Sequence, residues 1–291
     1  MSPITTVDME LCNLPEVQTL LKRHGFHFSK SMGQNFLIRP QVPVDIAEAS
    51  GAASTTAVLE IGPGIGPLTV QLAKRAGKVV AVELDKALLP VLAETLSSFD
   101  NTEVVPGDIL KLDLASLISD KFCGFTPIVC ANLPYNITSP VLTKVLESGH
   151  FAAITVMIQR EVAKRICAAP GTADYGAFSV FCQYHARCEY LFEVPPDCFY
   201  PAPKVTSAVV KLTPQSKPDC VDDPKAFFGV VKAAFAQRRK TLLNCLGSAF
   251  GDRFSKDELR QIITACGLPE DVRGERLGIP EFAALAKQLY A

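Results

Sequence analysis

Short apolar runs alternate with segments of helical period from about residue 40 to residue 213, which predicts βαβ units and a mostly parallel sheet. The runs that read as strands are AVLEI (57–61), KVVAVE (78–83), TEVV (102–105), PIVCAN (127–132), AAITVMI (152–158), EYLFEV (189–194) and SAVVKL (207–212). Between them, 67–76, 86–97, 139–147 and 159–168 carry apolar residues at helical spacing. The stretch TPQSKPDCVDDP (213–224) then loses all periodicity and holds three prolines, the mark of a linker. Beyond it, 225–237, 239–250, 255–266 and 280–290 read as helices, with Gly267 and Gly274 as punctuation. The expected organisation is an N-terminal segment (1–39), an α/β domain (40–213) and a small α-helical domain (214–291).

Composition narrows the class. The 291 residues are 48% hydrophobic and 20% charged, which excludes a disordered or collagenous chain. No apolar run approaches the ~18 residues that a membrane span needs. Asp8 and Glu10 occupy the place where an export signal would carry Lys or Arg, so a cytoplasmic, membrane-free protein is expected. The ten cysteines include no Cys-x-x-Cys pair, and several, such as Cys130, sit inside apolar runs, so buried free thiols are expected. His24 and His27 have a His-x-x-His spacing but no accompanying cysteine pair, and no metal site is expected. Net charge is only −1, yet its distribution is uneven. Residues 21–39 carry Lys22, Arg23, Lys30 and Arg39 with no acid, and residues 224–251 carry Lys225, Lys232, Arg238, Arg239 and Lys240 with no acid. Each is either a solvated basic face or a phosphate-binding one.

The chemistry concentrates at two places. In LEIGPGIGPLT (59–69) the first strand runs into Gly62-x-Gly64-x-Gly66 and a helix follows, the arrangement that lets backbone approach a ligand closely. Glu83 ends the second strand, where a carboxylate can accept hydrogen bonds from both hydroxyls of a ribose. Asp108 follows the third strand, within reach of an adenine amino group. Glycine turn, acid, acid in that order, with Gly-x-Gly-x-Gly rather than Gly-x-Gly-x-x-Gly, favours S-adenosylmethionine over a nicotinamide dinucleotide. The second place is Asn132-Leu133-Pro134-Tyr135, at the carboxyl end of the fourth strand and so in the same crevice. The Asn132 side-chain oxygen and the Leu133 carbonyl can hold both hydrogens of an exocyclic amine. Pro134 stiffens the turn, and Tyr135 offers a ring on which a base can stack. Asn-x-Pro is also ordinary turn chemistry. Phe199, ahead of the Pro201-x-Pro203 turn, is either the opposite jaw of a base sandwich or a core phenylalanine. Gln34, Asn35 and Leu37 in SMGQNFLIRP are placed to close over a cofactor.

With these residues in place the chain resembles the KsgA-type small-subunit (16S) ribosomal RNA adenine N6,N6-dimethyltransferases. The likeness runs in order through LKRHGFHFSKSMGQNFL (21–37), LEIGPGIGPLT, VVAVELD, ANLPYNIT, MIQREVAKRI (157–166), DYGAFSVFCQY (174–184), VPPDCFYPAPKVTSAVVKL (194–212) and AFAQRRKTLLNCL (234–246). It implies a Rossmann-like class I methyltransferase domain with a mostly parallel seven-stranded sheet, plus the C-terminal helical domain. It also implies transfer of two methyl groups from S-adenosylmethionine to N6 of each of two adjacent adenosines. Those lie in the loop of the 3′-terminal helix of 16S rRNA, within the 30S subunit or its precursor. Carried over by position, cofactor contacts fall on Asn35, Leu37, Gly62, Glu83, Asp108 and Asn132, with Gly64 beside them in the turn. The target-base pocket falls on Asn132, Leu133, Pro134, Tyr135 and Phe199. RNA contacts fall on Lys22 and Arg23 and on a basic helix carrying Gln237, Arg238, Arg239 and Lys240. A monomer is expected. Met32, where the family commonly has Phe or Leu, and the near-neutral net charge depart from the pattern. A 23S rRNA dimethylase of the macrolide-resistance type, a non-catalytic assembly or transcription factor on the same fold, and a DNA adenine methylase are the competing readings.

Overall fold

Strands buried on both faces are built from near-continuous β-branched and apolar residues, because a parallel sheet has helices on both sides. Every residue of the first long strand here is buried. The computed structural model describes residues 11–28 and 33–290; Asp8, Glu10, Lys30 and Met32 lie outside the described residues. Helix α1 (Leu14–Arg23), the short strand β1 (Phe36–Leu37) and α2 (Gln41–Ser50) precede the alternating portion. That portion runs β2 (Thr56–Ile61), α3 (Pro67–Ala73), β3 (Lys78–Glu83), a 3-10 turn leading into α4 (Leu89–Thr95), β4 (Thr102–Pro106), α5 (Leu114–Lys121), β5 (Thr126–Asn132), α6 (Thr138–Ser148) and β6 (Ala153–Gln159). Then come α7 (Arg160–Cys167), α8 (Ala177–His185), β7 (Ala186–Val194), β8 (Phe199–Tyr200) and β9 (Ser207–Pro214). Four further helices close the chain: α9 (Pro224–Phe235), α10 (Leu242–Phe250), α11 (Lys256–Ala265) and α12 (Ile279–Leu289).

The seven long strands form one sheet in the order β4-β3-β2-β5-β6-β9-β7. Pairs β4-β3, β3-β2, β2-β5 and β5-β6 are parallel, whereas β9 runs antiparallel to β6 from Ile154↔Leu212 to Gln159↔Ser207. The chain leaves β2 toward one edge and later returns at β5 toward the other. Loops after β2 and β5 therefore diverge, and a crevice opens beyond their carboxyl ends. The mostly parallel, seven-stranded α/β fold expected from the sequence is the one observed.

Two compact units emerge, one comprising residues 1–163 and 188–214, the other 164–187 and 215–291. The second unit thus includes α8, which sequence reading places with the sheet. Tyr175, Val180 and Tyr184 share one apolar core with Phe227, Val230, Leu246, Leu259 and Phe282, and that burial assigns α8 to the helical unit. Tyr175 also donates its hydroxyl to the Leu277 carbonyl at 2.9 Å.

Helices α1, α2, α5 and α8 and the β1–β8 ribbon have no counterpart among the expected elements. The ribbon pairs Phe36 with Tyr200 and Leu37 with Phe199, two residues on each side, too few to show a period of two. The expected basic helix is a correction: α9 ends at Phe235, and residues 236–240 turn instead, with Lys240 N–H bonded to the Gln237 carbonyl at 2.9 Å. Thr241 then caps α10. The ten cysteines form no disulfide among the described residues. No helix among those residues is long and apolar enough to cross a membrane.

Candidate active site

The turn after β2 holds Gly62, Gly64 and Gly66 at φ of 69°, 63° and 94°, a region that side-chain-bearing residues rarely enter. Space decides as well at Gly64, where a Cβ would sit 3.1 Å from the Phe36 ring. At Gly62 a Cβ would come within 3.7 Å of Pro134, so the glycine turn and the elbow after β5 lie against one another. Pro67 then opens α3 directly behind the turn.

Glu83 ends β3 with only 6% of its surface exposed. Its Oε1 accepts the Asp85 N–H at 2.7 Å. Burial raises its pKa, against the opposing pull of backbone N–H groups of Asp85, Gly64 and Leu84. The Asp85 side chain accepts from Gln34 Nε2 at 2.7 Å, which fastens the segment before β1 to the end of β3. Asp108, half-buried, accepts the Leu110 N–H at 3.0 Å. Lys144 on α6 donates to the Leu110 and Leu112 carbonyls at 2.9 and 2.6 Å, so the helix behind the elbow also braces the Asp108 loop.

The elbow itself is built from β5 outward. Leu133 is buried, and its N–H is bonded to the Met157 carbonyl of β6 at 3.0 Å. Pro134 is extended (φ −56°, ψ 132°), and its carbonyl accepts from Ile137 N–H at 3.2 Å and Thr138 Oγ1 at 3.3 Å. The Tyr135 hydroxyl shares a 2.7 Å hydrogen bond with Ser207 Oγ, and burial pushes its pKa up, so the ring stays neutral. Asn132 donates from Nδ2 to the Asn35 carbonyl at 3.4 Å. That bond leaves Oδ1 as the acceptor end of the amide.

One cavity is lined by Asn35, Leu37, Gly62, Gly64, Glu83, Asp108, Asn132, Leu133, Pro134 and Tyr135. Phe199 is not on its wall. It is 3% exposed and packs in the core with Leu37 and Met157, because its strand β8 pairs with β1 and turns the ring inward. Of the residues expected to form the base pocket, Phe199 alone lies off this wall. The basic residues also lie elsewhere. Lys22 and Arg23 are exposed on α1, where Arg23 pairs with Glu94, and Arg239 and Lys240 are exposed in the turn after α9. Arg238 pairs with Glu275 at 3.4 Å and donates to the Ala173 carbonyl. Among the wall residues that the sequence reading did not single out are Glu60, Leu84 and Asp85. Leu84 is 51% exposed beside Glu83. Glu60 was legible only as an acid inside an apolar strand, LEI, a position that burial penalises.

A seven-stranded, mostly parallel sheet with β9 reversed against β6, a glycine turn after β2 and an acid closing β3 define a Rossmann-like methyltransferase. The model of the ribosomal RNA adenine dimethylase family matches residues 25–271, and the chain belongs to that family. It is 46% identical over 274 residues to the ribosomal RNA small subunit methyltransferase A of Geobacillus thermodenitrificans (strain NG80-2), covering 93% of this chain and 94% of that protein. With the protein of the same name from Shouchella clausii (strain KSM-K16) it shares 44% over 288 residues, 98% and 97% of the two chains. Among solved structures it is similar to a dimethyladenosine transferase from Plasmodium falciparum (25% identity, TM-score 0.73, 86% of this chain and 95% of that one). It is also similar to the 23S rRNA methyltransferase ErmE (25% identity, TM-score 0.65, 88% and 100%).

Proposed function

We propose that this protein dimethylates N6 of two adjacent adenosines in the loop of the 3′-terminal helix of 16S rRNA, within the 30S particle or its precursor in the cytoplasm, with S-adenosylmethionine as methyl donor. The observation that carries the reading is that the glycine turn and the Asn-Leu-Pro-Tyr elbow line one cavity. The wall supports this donor: the glycine turn brings bare backbone onto it, with a Cβ at Gly64 pressing on the Phe36 ring at 3.1 Å, the exposed Leu84 suits a flat heterocycle, and we assign Glu83 to the ribose hydroxyls and Asp108 to the adenine amino group. When bound, the donor supplies an electrophilic methyl carbon on a positively charged sulfur.

The protein's own part is alignment and acceptance. The N6 lone pair of adenine is delocalised into the ring and is a poor nucleophile. Asn132 Oδ1 and the Leu133 carbonyl hold the two amino hydrogens and draw the nitrogen toward tetrahedral geometry as it is alkylated. Tyr135, held by Ser207, presents its ring for stacking worth ~1–3 kcal/mol. No side chain need act as base, since the methylated ammonium loses its proton readily to water. Extruding the base costs a few kcal/mol when it is paired and less in a loop. Lys22 and Arg23 on one unit, and Arg239 and Lys240 on the other, supply exposed cations for rRNA phosphates.

The test is incubation of the protein with undermethylated 30S particles and labelled donor, followed by nucleoside analysis. Dimethyladenosine in 16S rRNA supports the reading. Label confined to 23S rRNA, or particle binding with no donor consumed, overturns it.

A further inference from the structure

The chain between β8 and β9, residues 201–206, is fastened to the cavity wall at both ends without lining the cavity itself. Just before it, Tyr200 pairs with Phe36, a wall residue. Just after it, the buried Ser207 shares its 2.7 Å hydrogen bond with Tyr135 of the elbow. The Thr206 carbonyl also accepts the Arg160 N–H at 3.0 Å, and Pro201 and Pro203 restrict the backbone further. A short loop held in this way presents its side chains in a set position.

Two of those side chains serve nothing inside the protein. Val205 is 38% exposed. It stands two residues before Ser207, so at most ~7 Å of chain separates it from the residue that holds the base-stacking ring. Lys204 is exposed beside it. Cations of the adjoining elements are engaged, Arg160 with Glu193 at 3.4 Å and Lys211 with the Ala49 carbonyl at 2.9 Å, whereas Lys204 has no such partner among the described residues. One exposed valine means little alone, but this one adjoins the place where a base must leave its stack. Extruding a nucleotide strips a stacking face from its neighbour, and apolar side chains can cover such a face.

We propose that the 201–206 loop holds the nucleotide next to the extruded adenosine, with Val205 covering the base face that extrusion uncovers and Lys204 meeting its phosphate. The inference rests on the substrate reading above and adds to it a second nucleotide subsite, outside the cavity. While one of two adjacent adenosines occupies the cavity, the other is a neighbour of this kind. An apolar side chain beside an unpaired cation matches a base with its phosphate in both shape and charge.

Both side chains are exposed, so the variants keep the fold. Val205→Ser should slow methyl transfer to saturating, undermethylated 30S particles about tenfold, with donor affinity by calorimetry unchanged. Val205→Leu, which stays apolar, should keep most of the wild-type rate. Lys204→Ala should lower the slope of log particle affinity against log salt by about 0.7–0.9. The proposal stands only if both positions respond. A wild-type rate in Val205→Ser, an equal loss in Val205→Leu or an unchanged salt slope in Lys204→Ala overturns it. So does a parallel loss of donor affinity, which would mean that the loop merely shapes the cavity. Weaker particle binding with rate and salt slope unchanged would place a protein surface on the loop and overturns it too. Wild-type protein that transfers no methyl group to 16S rRNA overturns the proposed function and this inference with it, so the two failures are read separately.

Discussion

At the residue scale, the bond from Asn132 Nδ2 to the Asn35 carbonyl decides which end of the Asn132 amide is left to accept. Asn132→Ala removes the acceptor and should cut methyl transfer by about 10²–10³-fold or more, with donor affinity changed far less. Asn132→Asp is expected to behave differently. A carboxylate cannot donate to Asn35 and is repelled by its carbonyl, so donor affinity should fall along with transfer. Donor titration and single-turnover rates on the two variants separate these effects. Glu60 makes a stability prediction with a definite sign. Its folded pKa of about 8 lies above the ordinary 4.5, so its contribution is fully present below about 4.5 and is lost as pH rises toward 8. Glu60→Gln should therefore raise the melting temperature increasingly from pH 5 to pH 8, by an equivalent of up to about 3 kcal/mol. An unchanged difference across that range would show that Glu60 is ionised throughout.

At the scale of elements, the glycine turn can be tested against a matched control. Gly64 and Gly124 both have φ near the left-handed region, 63° and 83°, so alanine at either should cost ~1–2 kcal/mol of backbone strain. Around Gly124 a Cβ meets nothing within 4 Å, whereas at Gly64 it meets Phe36. Gly64→Ala should thus also displace β1 and weaken donor binding, while Gly124→Ala lowers stability alone; melting curves with and without donor distinguish them. What sequence could reveal follows the same physics. The long strands are legible because burial on both faces demands runs such as KVVAVE, and the two motifs because turn chemistry needs particular residues at fixed offsets. Helix α8 is not, since AFSVFCQYH is apolar nearly all round and lacks a polar face to set its period. Phe199 could not be placed because its orientation depends on pairing with Leu37, far away in the chain. The state of Glu60 was hidden for a related reason: only the assembled sheet shows that its Oε2 has no hydrogen-bond partner.

For the whole molecule, a net charge of −1 means that rRNA attraction must come from local faces rather than a global field. Arg239→Ala or Lys240→Ala should weaken particle binding and reduce the slope of log affinity against log salt by about 0.7–0.9 for each phosphate that the variant no longer neutralises. Arg238→Ala should in addition destabilise the helical unit, because Arg238 ties the turn to Ala173 and Glu275. An unchanged salt slope in all three would remove this turn from the interface. The route of the chain through its two units has a different consequence, one felt during synthesis. Residues 164–187 leave the decoding machinery before β7 and β9 complete the sheet, and well before α9 to α12 exist. Until those helices arrive, Tyr175, Val180 and Tyr184 have no core to enter, and the nascent chain carries an uncovered aromatic surface. A messenger truncated after codon 214 would make that interval permanent, yielding a polypeptide that clumps rather than a free-standing catalytic half.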